Sequence, residues 1–370
     1  MMQKTKKVLV ITDNMPWGHR SIAKSIYGAL KKREKKLNIT VEYMDFPMSL
    51  MGFYGIYTFV YRYFPGLGAV QNNPFFNSLG AGTYEKIIEQ AQERLEKVMQ
   101  KKQPDVIISA YYFISEALVR IKKRKFKLAT VYADPWTLFN KTFVKNADWH
   151  LVYDEKSEKQ VVDFGIDPKK IIKTGWWVRE EMYKKYKKPE SDRPVIFVGG
   201  GSLGNSAIPK ILPLMFLLDK KVKFIFNCGT DRMAYRMVNQ YKWILKKLGK
   251  DKLIQVENLG WVQDMAEQLA KCDIVLGKAG PNFIFDCVAC GKPFVAVSHI
   301  SGQETGNLAL IKEKKLGWVR ESTNGILKFL KKYLDNPDKY NKMYKESIAA
   351  EALRNKKTHQ KFTSIVAFPR

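Results

Sequence analysis

Short apolar runs rich in β-branched residues alternate with amphipathic stretches along the chain, the sequence form of parallel strands covered on both faces by helices. The first half opens with KVLVIT at 7–12, passes through a turn and enters a helical pattern from about His19 to Lys36. Extended runs recur at 39–44, 105–109, 127–132 and 149–153, with helical stretches such as 83–101 and 155–164 between them. Residues 184–193, KKYKKPESDR, lack apolar periodicity and contain Pro189, so they read as a linker. The alternation then restarts, with strands at 194–201, 223–227, 253–260, 273–277 and 293–297 and helices at 203–219, 231–248, 263–271 and 281–290. The pattern predicts an α/β fold of two doubly wound, Rossmann-like parallel-sheet domains, residues 1–183 and 194–340. A helical segment, 341–370, is expected to pack back on the N-terminal domain. Ligands of such sheets bind beyond the carboxyl ends of the strands, so two facing domains imply a cleft lined by the glycine turns.

The segment from Phe46 to Tyr84 interrupts this alternation: it carries one charge, Arg62, and packs eight aromatics into the nineteen residues 46–64. Its uncharged stretch before Arg62 falls short of the roughly 20 residues that span a bilayer. The aromatics Phe53, Tyr54, Tyr57, Phe59, Tyr61, Tyr63 and Phe64 suit a headgroup boundary, where amphipathic rings are favoured. An interfacial membrane or acceptor-binding element is the expectation, against an aromatic helix buried on the sheet.

Charge strengthens that expectation. The 64 Lys and Arg against 36 Asp and Glu leave +28 over 370 residues, in clusters at 31–36, 122–127, 184–188, 242–252 and 312–315. Each cluster alone reads as a solvated face, but together they favour an anionic surface as partner. The cysteines, Cys228, Cys272, Cys287 and Cys290, make no disulfide framework, and the CxxC at 287–290 has no second pair at zinc spacing. No metal is expected. The apolar run at 8–12 is too short for a signal peptide, so a cytoplasmic protein is expected.

Two turns carry the candidate chemistry. Gly199-Gly200-Gly201-Ser202-Leu203-Gly204 satisfies GxGxxG between a strand and a helix, where backbone N–H groups and a helix N-terminus can cradle a diphosphate. No carboxylate ends the next strand, Phe226-Asn227-Cys228-Gly229, which disfavours a nicotinamide dinucleotide. A second phosphate-type turn, Gly277 to Pro281, opens the helix starting near Asn282, with Asp286 one turn in as a ribose acceptor. The loop Ser301 to Asn307 offers Gln303, Glu304 and Asn307, groups that suit sugar hydroxyls.

KAGPNFIFDCVACGKPFVAVSHISGQETGN resembles the donor signature of family 28 glycosyltransferases, in particular the diacylglycerol glycosyltransferases: monogalactosyldiacylglycerol synthases and processive diacylglycerol glucosyltransferases. The order of the N-terminal half is similar as well, including PDVIIS and TVYADPW, so the resemblance spans about residues 7–320. It implies a GT-B architecture and an inverting, metal-independent transfer of a hexose from a UDP-sugar to a membrane lipid such as diacylglycerol. It also implies peripheral attachment to the inner face of the cell membrane. It places the donor diphosphate near Gly199, Gly200, Gly201 and Ser202 and at Ala279, Gly280, Pro281 and Asn282, the ribose on Asp286 and the sugar on Gln303 and Glu304. His19 then matches the family's general base, a role suited to an imidazole near neutral pKa. Asp134 is the runner-up base or the group that orients His19. The chain departs from the pattern at Asn14-Met15-Pro16-Trp17-Gly18-His19, where the family has three glycines, and at Asn282-Phe283 and Asp286, where it has Gly-Thr and Glu.

Two other readings compete. One is transfer of N-acetylglucosamine to an undecaprenyl-linked acceptor on a similar fold. The other is a non-catalytic nucleic-acid-binding protein, disfavoured because no recognised module appears and the aromatics lack interleaved Lys and Arg.

Overall fold

The computed structural model describes residues 5–15, 18–48, 74–138, 142–199 and 206–365, the side chains of 74–84 and 358–365 excepted. The chain divides into two compact units: among the described residues, those up to 48, 74–180 and 354–365 form one, and 181–353 the other. Residues 184–191 form neither helix nor strand. Tyr186 donates to Asp264 Oδ2 at 2.5 Å and Lys188 pairs with Asp273, so this exposed stretch lies along the second unit.

The first unit holds a parallel sheet of β1 (Lys6–Asp13), β2 (Ile39–Phe46), β3 (Val106–Ser109), β4 (Lys127–Val131), β5 (Trp149–Val152) and β6 (Ile171–Lys173), in the order β2-β1-β3-β4-β5-β6. From Val8 to Asp13 every residue of β1 is buried, as a strand covered on both faces requires. Helix Gly18–Lys31 buries Ile22, Ala23, Ile26, Ala29 and Leu30, a stripe at helical spacing that follows the strand back over the sheet. The expected helix to Lys36 is two pieces, this one and Glu34–Leu37, the second ending at the left-handed Asn38 (φ 50°). Helices Pro74–Lys102 and Tyr112–Val119 supply Leu95, Met99, Ile114 and Leu118 to the core over Leu9, Ile11, Ile107 and Leu128. In the last helix, Lys345–Ile365, Asn355 is buried and its Oδ1 accepts from the Trp176 N–H at 2.9 Å, tying this stretch to the first unit.

The second unit repeats the plan with β7 (Val195–Gly199), β8 (Val222–Asn227), β9 (Ile254–Leu259), β10 (Ile274–Lys278), β11 (Phe294–Ser298) and β12 (Gly317–Val319), ordered β12-β11-β10-β7-β8-β9 and parallel throughout. The expected helix at 203–219 is reduced in its described part to Ala207–Ile211 followed by a 3-10 stretch, Leu212–Leu217. Pro213 explains the change, because it has no N–H to continue the α-helical ladder. The three-residue edge strands β6 and β12 are too short to show a period in the sequence. Cys228, Cys272 and Cys287 are buried, and none of the four cysteines is in a disulfide.

Both sheets reverse their strand order at one point, between β1 and β3 in the first unit and between β7 and β10 in the second. That is where an open α/β sheet leaves a crevice at the carboxyl ends of its strands. Among the described residues, no helix is long and apolar enough to cross a membrane.

Candidate functional site

In the first unit, the loop after β1 brings His19 to the reversal point. Its ring is hydrogen-bonded to the backbone of Ala110, just past β3, and lies 5.0 Å from the Tyr111 ring. Nδ1 is covered and has no hydrogen-bond partner among the described residues. Burial of the ring pushes its pKa down to about 4, so the imidazole is neutral at physiological pH. With one nitrogen donating to a carbonyl, the other keeps a free lone pair, the state that accepts a proton.

Asp13, the last residue of β1, is fully buried. Its Oδ1 accepts from Thr12 Oγ1 at 3.2 Å, while Oδ2 has no partner among the described residues. Desolvation pushes this carboxyl up to about 7. The nearest cation, Arg20, is spent elsewhere: its Nε donates to Asp45 Oδ1 at 3.0 Å, and Tyr43 donates to the same oxygen at 2.5 Å. Asp134 sits half-buried in the loop after β4. That loop is pinned by Trp136 Nε1 donating to Asp154 Oδ1 at 3.0 Å and by Ser157 Oγ donating to the Pro135 carbonyl at 2.8 Å.

In the second unit, β7 and β10 approach so closely at Gly199 and Gly277 that a Cβ on Gly277 would stand 2.5 Å from the Gly199 carbonyl oxygen and 2.8 Å from Phe283. Only glycine fits there. The β10–β11 register then slips between Gly277 and Lys278. Lys278 lies inside, ion-paired with Glu304, both side chains 5% exposed. The second carboxylate oxygen accepts from the Ile300 N–H at 2.7 Å. Ala279 is braced on both sides: its N–H donates to the Ser298 carbonyl at 2.8 Å, and its carbonyl accepts from Asn307 Nδ2 at 2.8 Å. The turn ends at Gly280, the N-cap of helix Pro281–Ala289, which no side chain caps. The first N–H groups of a helix have no partner within it, and this end carries the positive pole of the helix dipole, so an anion is favoured there.

Past the ends of β8 and β9 lies an open recess of about 490 Å3, lined by residues that include Thr230, Asp231, Arg232, Tyr235 and Gly260. Asp231 Oδ1 is occupied in accepting from the Met233 and Ala234 N–H groups.

Residues 19–178 match the monogalactosyldiacylglycerol (MGDG) synthase family, and residues 195–362 match the glycosyltransferase family 28 C-terminal domain. The chain belongs to glycosyltransferase family 28. It is 23% identical to a processive diacylglycerol beta-glucosyltransferase of Bacillus pumilus, over 92% of this chain and 90% of that protein. A probable chloroplastic monogalactosyldiacylglycerol synthase of Glycine max is 22% identical over 89% of this chain, which spans 65% of that longer protein. The fold is that of a solved complex of MnaA with UDP from S. aureus, at a TM-score of 0.64, 12% identity and coverage of 98% of this chain and 96% of that one. The two sheets are thus the paired domains of the GT-B class, and the protein is a glycosyltransferase.

Within this family 28 transferase, the structure brings Ala279, Gly280, Pro281 and Asn282 together with Glu304 and Asn307. A Cβ on Gly280 would stand 3.4 Å from Glu304 Oε1. Gly199 lies against the same turn through Gly277. Gln303 is half-buried at the helix entry, and Asp286 is half-buried on helix Pro281–Ala289, where its charge adds to the effect of burial in raising the pKa of Tyr183. Glu304 and Asn307, expected as sugar contacts, use the groups just described to hold the turn. Gly200, Gly201 and Ser202, and the aromatics Phe53, Tyr54, Tyr57, Phe59, Tyr61, Tyr63 and Phe64, lie outside the described residues. The sequence reading passed over Asp13 and Lys278. A charged residue closing a buried strand was the available signal for both.

Proposed function

We propose that the chain transfers a hexose from a UDP-sugar to the hydroxyl of a membrane lipid such as diacylglycerol, with inversion and without a metal ion. The observation that carries the reading is the turn 277–281: a backbone anion site at an uncapped helix N-terminus, held by a sealed Lys–Glu pair and by Asn307. The relatives named for diacylglycerol substrates and the UDP held by the structural neighbour support the choice of donor and acceptor.

In this reading, the turn and the helix dipole hold the donor diphosphate and stabilise the charge that develops as the sugar–phosphate bond breaks. The acceptor hydroxyl attacks the anomeric carbon from the side opposite the diphosphate, which inverts that centre. As the new C–O bond forms, the hydroxyl proton passes to the neutral imidazole of His19, and UDP leaves with the bonding electron pair. Asp134, in the loop after β4, is the candidate group to orient the His19 ring. The +28 excess and the 46–84 segment support peripheral attachment to the inner face of the cell membrane.

Purified protein is incubated with several UDP-sugars and diacylglycerol vesicles, with and without chelator, and the lipids are read by mass spectrometry. A diacylglycerol hexoside that forms with chelator present is the expected result. Transfer only to an undecaprenyl-linked acceptor, or none with any donor, overturns the proposal.

A further inference from the structure

We infer that the second unit carries its own anionic-lipid contact, the outer face of helix Arg232–Lys247 and the adjoining Leu217 and Leu248. The helix buries Ala234, Val238 and Leu245 against its sheet. Its opposite side presents Trp243, 61% exposed, with Leu248, 60% exposed, just past its end. Leu217, 54% exposed, belongs to the same patch, because the neighbouring Phe216 stacks near Tyr241 at 5.7 Å and its carbonyl accepts from Lys250 Nζ at 2.8 Å. Large apolar side chains this exposed, grouped around one helix end, mark a contact surface.

The charge around the patch selects the partner. The helix sequence RMAYRMVNQYKWILKK contains five basic residues and no acidic one. Lys242, Lys246 and Lys247 are exposed, and no described acidic side chain pairs with them. Lys247 Nζ lies 5.6 Å from the centre of the Trp243 ring, so cation and indole face outward together. An indole and leucines ringed by unpaired lysines suit the boundary of an anionic bilayer, where the ring and aliphatic tips enter the interface and the ammonium groups meet lipid phosphates. Leu217 and Leu248 would add nothing on a nucleic-acid backbone, and a second copy of this basic face would repel the first. This surface shares no residue with the 46–84 segment or with the turn 277–281.

The test uses the full chain and vesicles that contain neither donor nor diacylglycerol, so that a failed activity assay leaves its outcome readable. Co-sedimentation is measured on phosphatidylcholine vesicles with and without phosphatidylglycerol. A juxtamembrane lysine contributes about 1 kcal/mol, or about fivefold, so K242E/K246E/K247E should lose tenfold or more of its binding to the anionic vesicles. The equal charge change K328E/K331E/K332E, made on exposed lysines of another helix, should lose less than threefold. Quenching by brominated lipid should fall in W243F relative to wild type, which reports the insertion of that ring itself. Equal losses in the two charge variants, no W243F difference, or binding that moves to a single-stranded oligonucleotide or to self-association instead of vesicles would each overturn the inference. Melting curves confirm that the variants are folded.

Discussion

The reversal points of the two sheets occupy the same place in the same topology, yet they differ in how their ionisable groups are paired. In the first unit, Asp13 is buried and His19 half-buried, each with one covered atom left unsatisfied among the described residues, and desolvation drives their pKa values to about 7 and about 4. In the second, the charged groups Lys278 and Glu304 are paired with each other, and Ser298 and Asn307 Nδ2 brace Ala279, with Asn307 Oδ1 alone of that group lacking a partner among the described residues. A buried polar group without a partner costs stability and persists where function needs it. In the proposed reaction, the first reversal point would handle the proton and the second would bind the anion.

The strongest way to break this division is His19→Ala. If the first unit handles the proton, kcat falls by about two to four orders of magnitude, while UDP binding measured by calorimetry stays within threefold. A parallel loss of UDP binding would merge the two roles. Next comes Lys278→Met, which strands the Glu304 carboxylate in the interior. Breaking one side of a buried pair costs about 3–5 kcal/mol, so thermal denaturation should show a large loss together with weakened UDP binding. Lys278→Met/Glu304→Met should recover part of the stability but not the UDP affinity.

Asp13→Asn tests the sign of the unsatisfied acid. The folded pKa, about 7, lies above the ordinary 3.8. The folded state therefore binds the extra proton between those values, and the wild type loses stability as pH rises through that window. The variant should gain a few kcal/mol relative to wild type at pH 8 and little at pH 4, read as the difference in melting temperature at the two pH values. His19 runs the other way. Its folded pKa, about 4, is below 6.5, so its contribution is complete above pH 6.5 and is lost as pH falls toward 4. The smallest effect is expected for Asn307→Ala, which leaves the Ala279 carbonyl without its donor and should cost about 1–3 kcal/mol, with a matching loss of UDP affinity.

Much of this arrangement was legible in the sequence because its signals are local. Runs such as KVLVIT and PVIFVGGG announce buried strands, and Pro281 after Ala279-Gly280 announces a helix start at a turn. The edge strands β6 and β12 escaped because three residues hold no period. What stayed illegible depended on distance in space. The pairing of Glu304 was illegible because nothing in its loop says that Lys278, 26 positions earlier, points into the same enclosure. Asp13 read as the end of a strand, because only the neighbouring Asp45–Arg20 pairing removes the cation that would have neutralised it.

The sealed position of Lys278 has a practical consequence. Mobile ions screen exposed charges over about 8 Å at physiological ionic strength, and buried pairs far less. Raising the salt should therefore release the chain from anionic lipid, whose attraction acts through open lysines, while the Lys278–Glu304 brace stays closed. Ionic strength then becomes a dial that separates membrane capture from nucleotide capture within one unaltered molecule.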